Sequence, residues 1–458
     1  MREKVIGAVP QGLTRRLVQR CMQARHDELP ADVRAVAAQC VLDWLGVSLA
    51  AVGEAPPRIL LEELASRAGA PEAMAIGSAL RLPAASAAEY NGTLGHTLDY
   101  DDVNLAITGH ASAVLLPALV ALAEQQGHVS GARLLAALVA GCEMTCRIGK
   151  LIAPSHYERG FHSTSTAGSL GAALACSHLI ALSEEQACVA VGLAATQASG
   201  VKAMFGSMGK PWHAGLAARN GLVAARLAAR GFTGPLDILE NPQGFASAYS
   251  GDFRQDAALE EPPHGWHLRS SLFKYHASCY GTSACMEALR DLARTHAFAA
   301  DAVESVGVVV HSSSATVCNI QEPTNETEAK FSLRACAAMT LAGLDTSVPQ
   351  TFSTEILQLP QVHRLLKRVD VGFNADLPRM ASKVQVALKD GRVLHCFHDA
   401  GLPAQEWQAQ QDKVEGKFHA IVTPLFGAEC ARRVSLAVRG LASSSLDPLT
   451  GALQDCIR

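Results

Sequence analysis

The stretch Val384-Gln385-Val386-Ala387-Leu388-Lys389-Asp390-Gly391-Arg392-Val393-Leu394-His395-Cys396 decides the architecture of this chain. Its opening residues alternate as a strand does, and Asp390-Gly391 between two apolar runs is a hairpin signal. Upstream, Val306-Gly307-Val308-Val309-Val310 is rich in β-branched residues and reads as a further strand, with Leu333–Leu341 as a helix between them. Outward from this region the strand signal fades. Toward the N-terminus, apolar residues from Asp32 fall at Val33, Val36, Ala37, Cys40, Val41, Trp44 and Leu45, one helical stripe with Asp32 as the expected N-cap. Residues 117–124 and 131–152 read as two more helices, and Ser183-Glu184-Glu185-Gln186 is a capping-box pattern ahead of another. Toward the C-terminus helical periodicity returns after Glu406, through 413–422 and 428–441. The expected fold is therefore mainly α: a large all-helical domain built from both chain ends (1–265 and 405–458), with a smaller α+β domain inserted at 266–404. A cleft between two such domains is a usual place for a small-molecule site.

Composition agrees with this frame. The 458 residues exceed one ordinary core, 49% are hydrophobic, and aromatics make up only 5%. An Ala- and Gly-rich chain suits closely packed helices. Charged residues are 18% of the chain, which points to covered surface and an oligomer. The net charge of −4, without a basic run, argues against nucleic acid. Thirteen cysteines at irregular spacings, with Cys142 and Cys146 one helical turn apart, read as reduced core residues of a cytoplasmic protein. The opening Met1–Ile6 lacks the apolar core of a signal peptide, and no charge-free run argues for a membrane span over a buried helix.

Four clusters stand out as candidate chemistry. The first is His96-Thr97-Leu98-Asp99-Tyr100-Asp101-Asp102 followed by His110-Ala111-Ser112, dense in carboxylate and imidazole. It fits acid–base work, a Mg²⁺ site, or a capped helix end facing water. The second is His162 ahead of Ser163-Thr164-Ser165-Thr166, an imidazole at a helix entry whose N–H groups attract anions. A capping-turn histidine is the simpler reading. The third is Gly209-Lys210-Pro211-Trp212-His213-Ala214-Gly215, where Lys210 sits at the start of a helix expected to run to about Arg230, with Gly231 after it. This would place an ammonium beside free N–H groups, although an exposed loop lysine is the common alternative. The fourth is Lys274-Tyr275-His276-Ala277-Ser278-Cys279, with a second cation, a second base and a thiol better read as packed than as nucleophilic. Gly-x-Ser-x-Gly, His-Glu-x-x-His, Cys-x-x-Cys and strand-linked Gly-x-Gly-x-x-Gly patterns are missing, so serine-hydrolase, zinc, iron–sulfur and dinucleotide readings lack motif support.

Taken together, these segments resemble the MmgE/PrpD family. The resemblance rests on Asn91–Asp102, His110-Ala111-Ser112, Gly160-Phe161-His162, Gly209–Gly215 and Glu328-Ala329-Lys330-Phe331-Ser332, in that order and spacing. The family includes 2-methylcitrate dehydratase, cis-aconitate decarboxylase and iminodisuccinate epimerase. The resemblance implies a helical domain with a smaller α+β lid, a homodimer, and neither metal nor organic cofactor. It implies a site lined by Asp99, His110, His162, Lys210, Lys274 and His276. The chain departs from the family at Val103, where Thr is frequent, at Ala111, where Pro is usual, and at Thr282-Ser283, where a His is expected. The 274–280 and 328–332 segments look closer to the epimerase branch. The expected function is acid–base chemistry α to a carboxylate on a small di- or tricarboxylic acid, with epimerisation as the leading reaction. A 2-methylcitrate dehydratase-like or decarboxylating lyase is the alternative, and an inactive carboxylate-binding helical dimer is the reading from another class.

Overall fold

The computed structural model describes residues 12–67 and 69–457, so the Met1–Ile6 stretch lies outside the described residues. The fold is mainly α with a small sheet region. The chain divides into two compact units, Met1–Ser271 with Phe426–Arg458, and Leu272–Leu425.

The first unit is organised around α1 (Ala31–Ala50), α2 (Ala84–His96), α3 (Ser112–Gln126), α4 (Gly131–Ile152), α5 (Ser163–Leu179), α6 (Glu184–Ala195) and α7 (Gly209–Ala229). Among the described residues its strands are limited to a two-residue pairing of Ala73–Met74 with Arg81–Leu82, apart from isolated bridges. The abundant small residues set the helix spacing. A methyl group on Gly215 would lie 2.1 Å from the Glu89 carbonyl oxygen, and one on Gly92 2.9 Å from the Gly215 Cα, so α2 and α7 touch backbone to backbone. Gly221 meets the Ala172 Cβ at 2.4 Å and Gly141 the Ala175 Cβ at 2.6 Å by the same construction, which draws α7 and α4 onto α5. Interior packing this dense leaves no room for one more carbon. The helix α5 ends up buried on nearly every side, as its all-round small and apolar sequence requires.

Local signals behave unevenly. Ser183 and Gln186 form both halves of the capping box that starts α6. Asp32, in contrast, does not cap α1. Pro30 holds that position, while the Asp32 carboxylate accepts from Val33 N and pairs with Arg269 at 2.9 Å. Among the described residues α1 is the one helix long and apolar enough to cross a membrane, and most of it is buried inside this unit. The cysteine reading needs correction: Cys430 and Cys456 are joined in a disulfide with Cα atoms 6.4 Å apart. The partners are 26 residues apart, and only the fold-back of the final helix brings them together. The remaining cysteines are free, most of them buried, and the Cys142 and Cys146 sulfurs approach to 3.9 Å.

In the second unit, β1 (Val303–Val310), β2 (Val369–Phe373), β3 (Ala381–Leu388) and β4 (Val393–Asp399) form one sheet in the order β2-β1-β3-β4. β1 and β2 are parallel. The β3–β4 hairpin turns where Asp-Gly indicated, with Gly391 at φ 89°. Val306 faces Val386 and Val308 faces Val384, and these buried residues pack one side of the sheet under α8 (Ser283–His296) and α9 (Leu333–Leu341). β2 and α8 were not foreseen, since a five-residue strand interrupted by Asp370 and Gly372 offers little alternation to read. Residues 405–425, expected with the helical ends, cluster with this unit. The helix Trp407–Gly440 conceals that boundary, because helical periodicity continues on both sides of the break at Gly427 (φ 85°). Residues 266–271 fall instead with the helical unit, tied there by Glu143, whose carboxylate accepts from His267 N at 2.8 Å.

Candidate active site

Within the helical unit, α2 ends at His96 and the chain then folds over itself. Asp99 adopts φ 49°, a left-handed conformation that costs an L-residue energy and is characteristic of functional turns. The following loop closes through an Asn104–Gly109 bridge, and Gly109 lies so near the start of α5 that a Cβ would sit 2.7 Å from Thr164 Oγ1. That hydroxyl accepts the His110 backbone N–H at 3.1 Å, fixing His110 beside His162, the residue before α5. Ser165 Oγ donates to the His213 carbonyl at 3.0 Å and ties α5 to α7, which carries Lys210 in its first turn.

These constraints gather seven polar side chains. Lys210 Nζ lies 2.7 Å from Asp99 Oδ2, and Asp99 Oδ1 lies 3.4 Å from His110 Nε2. His110 Nδ1 lies 3.0 Å from Asp101 Oδ2, and the Asp101 carboxylate accepts from His96 Nδ1 at 3.0 Å. The His96 ring is 5.9 Å from the His162 ring, whose Nδ1 is 3.2 Å from His213 Nδ1. Phe205 packs edge-on against His162 and 5.3 Å from the Lys210 ammonium. Asp99 is open to solvent, with 42% of its side chain exposed, whereas Asp101 and His96 are fully enclosed. The cluster thus has a wet mouth and a dry floor.

Burial controls the charge states. It pushes His162, His96 and His213 below the usual imidazole range, and for His162 the neighbouring His96 and the Lys210 ammonium add to the effect. Neutral His162 and His213 share one proton donor between their Nδ1 atoms, leaving the His162 Nε2 as the nitrogen not engaged by His213. Burial would raise the Asp101 carboxyl, but the His110 and His96 rings outweigh it and hold Asp101 well below the usual carboxylate range. The arrangement combines an ammonium, a neutral imidazole base and an imidazole in contact with two carboxylates. His96, Asp99, Asp101 and His110 also offer ligating atoms within 4.8 Å of one another, a donor set of the kind divalent cations use. Lys210 already supplies positive charge to Asp99 there.

Of the six residues expected in the site, Asp99, His110, His162 and Lys210 belong to this cluster. One detail differs. The N–H groups expected to be free at the start of α7 are occupied: Gly209 N donates to Ser207 Oγ, Lys210 N to the Ser207 carbonyl, and Pro211 has none. Anion recognition at this point falls to the ammonium. Lys274 and His276 belong to the second unit, where both are buried. Both ring nitrogens of His276 are partnered, Nδ1 with Thr346 Oγ1 at 2.6 Å and Nε2 with Glu287 Oε1 at 3.0 Å. A cavity of about 380 Å³ in that unit is lined by Tyr275, His276, Tyr280, Glu287, Asp399 and Lys413. Sequence reasoning placed His96 and Asp101 in the first polar cluster and His213 in the Lys210 segment without giving them a role in the site, and it missed Phe205. His213 carried a usable signal, three residues after Lys210 and so on the same helical face.

Known proteins resemble this chain over most of its length. The chain is 28% identical over 378 residues to human cis-aconitate decarboxylase, covering 79% of this chain and 77% of that protein. It is 32% identical over 325 residues to a cis-aconitate decarboxylase-like protein of Aspergillus oryzae (66% of each chain). It is 30% identical over 300 residues to cis-aconitate decarboxylase of Aspergillus terreus (62% and 61%). Residues 15–258 match the MmgE/PrpD N-terminal domain and residues 276–442 the MmgE/PrpD C-terminal domain, and with both domains matched in order the chain belongs to the MmgE/PrpD family of carboxylic acid lyase-type enzymes.

Proposed function

We propose that this protein is a cofactor-independent lyase that decarboxylates a small unsaturated tricarboxylic acid of the cis-aconitate type. The observation that carries the reading is the Lys210–Asp99–His110 chain beside neutral His162, a fixed cation, an acid and a base at the edge of a dry cluster. Loss of CO₂ from an acid whose double bond is conjugated to a second carboxylate leaves the electron pair on that conjugated system. Lys210 stabilises the accumulating charge, and a proton held by His110 is delivered to carbon. His162, kept neutral, orients substrate or recovers the proton. Low local dielectric strengthens each of these interactions.

The decarboxylase reading displaces epimerisation as the leading reaction because the relatives described above are named for decarboxylation. Epimerisation of an iminodisuccinate-type acid stays as the second reading, favoured by the 274–280 segment. Incubation of the protein with cis-aconitate, 2-methylcitrate and iminodisuccinate in deuterated water, followed by NMR and CO₂ capture, separates them. Decarboxylation releases CO₂ and incorporates one solvent deuteron per product. Dehydration yields an alkene without CO₂, and epimerisation exchanges the α-hydrogen without changing composition. Turnover of cis-aconitate without CO₂, or no turnover of it, overturns the decarboxylase reading, and binding without any exchange favours a carboxylate-binding protein.

A further inference from the structure

We propose that Cys279 and Cys318 are a reversible oxidation site, at which hydrogen peroxide closes two thiols into a disulfide and ties the loop carrying Lys274 and His276 to the chain entering α9. The site does not depend on which reaction the enzyme catalyses. Cys279, read from sequence as a packed thiol, is partly exposed, whereas Cys318 has no exposed surface. The two sulfurs meet beside Gly281. A methyl group there would lie 3.0 Å from Cys318 Sγ and 3.8 Å from Cys279 Sγ, so the glycine leaves the space in which the sulfurs approach. The two thiols are in hydrogen-bond contact. One segment holds both main chains: Cys279 N donates to the Lys330 carbonyl at 2.9 Å, and the Cys318 carbonyl accepts from Leu333 N at 3.0 Å. Asn319 bridges Ser332 between these bonds. A disulfide sets its sulfurs about 2.05 Å apart, so from this contact closure asks for side-chain rotation rather than chain movement.

Exposure sets the order of events. The hydrogen bond with Cys279, together with burial, pushes the Cys318 thiol well above its ordinary range, so Cys318 keeps its proton. Reaction therefore starts at Cys279, the sulfur that solvent reaches. Its thiolate attacks one peroxide oxygen, the O–O bond breaks, and the hydroxide released takes up the proton lost by the thiol to give water. Cys318 then attacks the Cys279 sulfenic acid. The sulfur–oxygen bond breaks as the sulfur–sulfur bond forms, and the hydroxyl leaves with the Cys318 proton as a second water. The two thiols lose two electrons and the peroxide gains them. Cys336, a third sulfur near Cys279, already donates to the Ala329 carbonyl at 3.6 Å. A contrasting pair lies in the helical unit, where the Cys142 and Cys146 sulfurs are 3.9 Å apart but both residues are buried and offer peroxide no entry.

The test treats the full chain with hydrogen peroxide below its melting temperature, denatures it, alkylates the remaining thiols with iodoacetamide and maps the unreduced peptides by mass spectrometry. One Cys279–Cys318 cross-link per chain should form, two hydrogen atoms lighter than the reduced pair, and dithiothreitol should return both thiols. Cys142 and Cys146 should remain reduced and be alkylated. Their oxidation to the same extent would show that access does not select the site, and overturns the proposal. In Cys318→Ser the cross-link should be lost completely, and Cys279 should carry added oxygen instead. In the wild type, an unmodified Cys279, a sulfinic Cys279 without a link, or a link from Cys279 to Cys336 overturns the proposal. Should Cys318→Ser fail to fold, the wild-type map decides alone by the same outcomes.

Discussion

Replacing Lys210 by methionine removes one charge and keeps most of the side-chain volume. In the structure the ammonium touches Asp99 at 2.7 Å and is 15% exposed, so it is partly shielded from water. At an effective dielectric of about 20, a unit charge ~3 Å from the ammonium interacts by roughly 5–6 kcal/mol. Asp99 already takes up a share, and the ground-state carboxylate of a substrate takes another. The portion that grows as charge accumulates should be ~3–4 kcal/mol, or about 10²–10³ in kcat, the range for removal of one well-placed electrostatic donor. Stability should change little. Asp99, with 42% of its side chain exposed, rehydrates when its partner is lost, and such pairs contribute about 1 kcal/mol or less. Initial rates at saturating cis-aconitate, followed by CO₂ release, give kcat, and calorimetry gives the melting temperature. His162→Gln, measured in parallel, should lose ~10²–10⁴ in kcat as a missing acid–base group. Wild-type kcat in Lys210→Met with an unchanged melting temperature would refute the electrostatic role and shift attention to Lys274.

Three further outcomes test other parts of the description. Exhaustive chelation should leave the rate unchanged, and loss of activity restored by Mg²⁺ or Mn²⁺ would make the His96–Asp99–Asp101–His110 cluster a metal site. We propose a homodimer formed through the helical unit. Light scattering at micromolar concentration should give twice the chain mass, and a monomer, or protection on association confined to 272–425, would count against it. Gly215→Ala puts a methyl 2.1 Å from the Glu89 carbonyl oxygen, so it should destabilise by about 1–3 kcal/mol or more, read as a melting temperature several degrees lower. Gly416→Ala, inside a helix where a Cβ meets nothing within 4 Å, is its control and should be neutral or stabilising by up to about 1 kcal/mol.

What could be read in advance follows the range of the physics involved. Helix periodicity, the Ser183–Gln186 box and the Asp390-Gly391 turn are local, and each appears as its residues demand. The grouping of Asp99, His110, His162 and Lys210 was legible because each stood in an unusual polar segment of an apolar chain. The floor of the cluster was not. His96 and Asp101 looked like parts of an acidic loop, and only the loop's return onto α5 turns them inward. The loss of the α7 N–H groups to Ser207 depends on a turn geometry that composition does not encode. The Cys430–Cys456 pairing and the end of the second unit at Leu425 are likewise products of chain return, invisible to any periodicity.

The contact between Gly92 and Gly215 also fixes how far apart two parts of the site stand. His96 lies one turn beyond Gly92, and Lys210 lies little more than one turn ahead of Gly215. The separation between the electropositive wall and the histidine floor is therefore inherited from main chain against main chain, not from the side chains that meet the ligand. A substitution at either glycine therefore acts on the site through the spacing of two helices, without touching any of its polar groups.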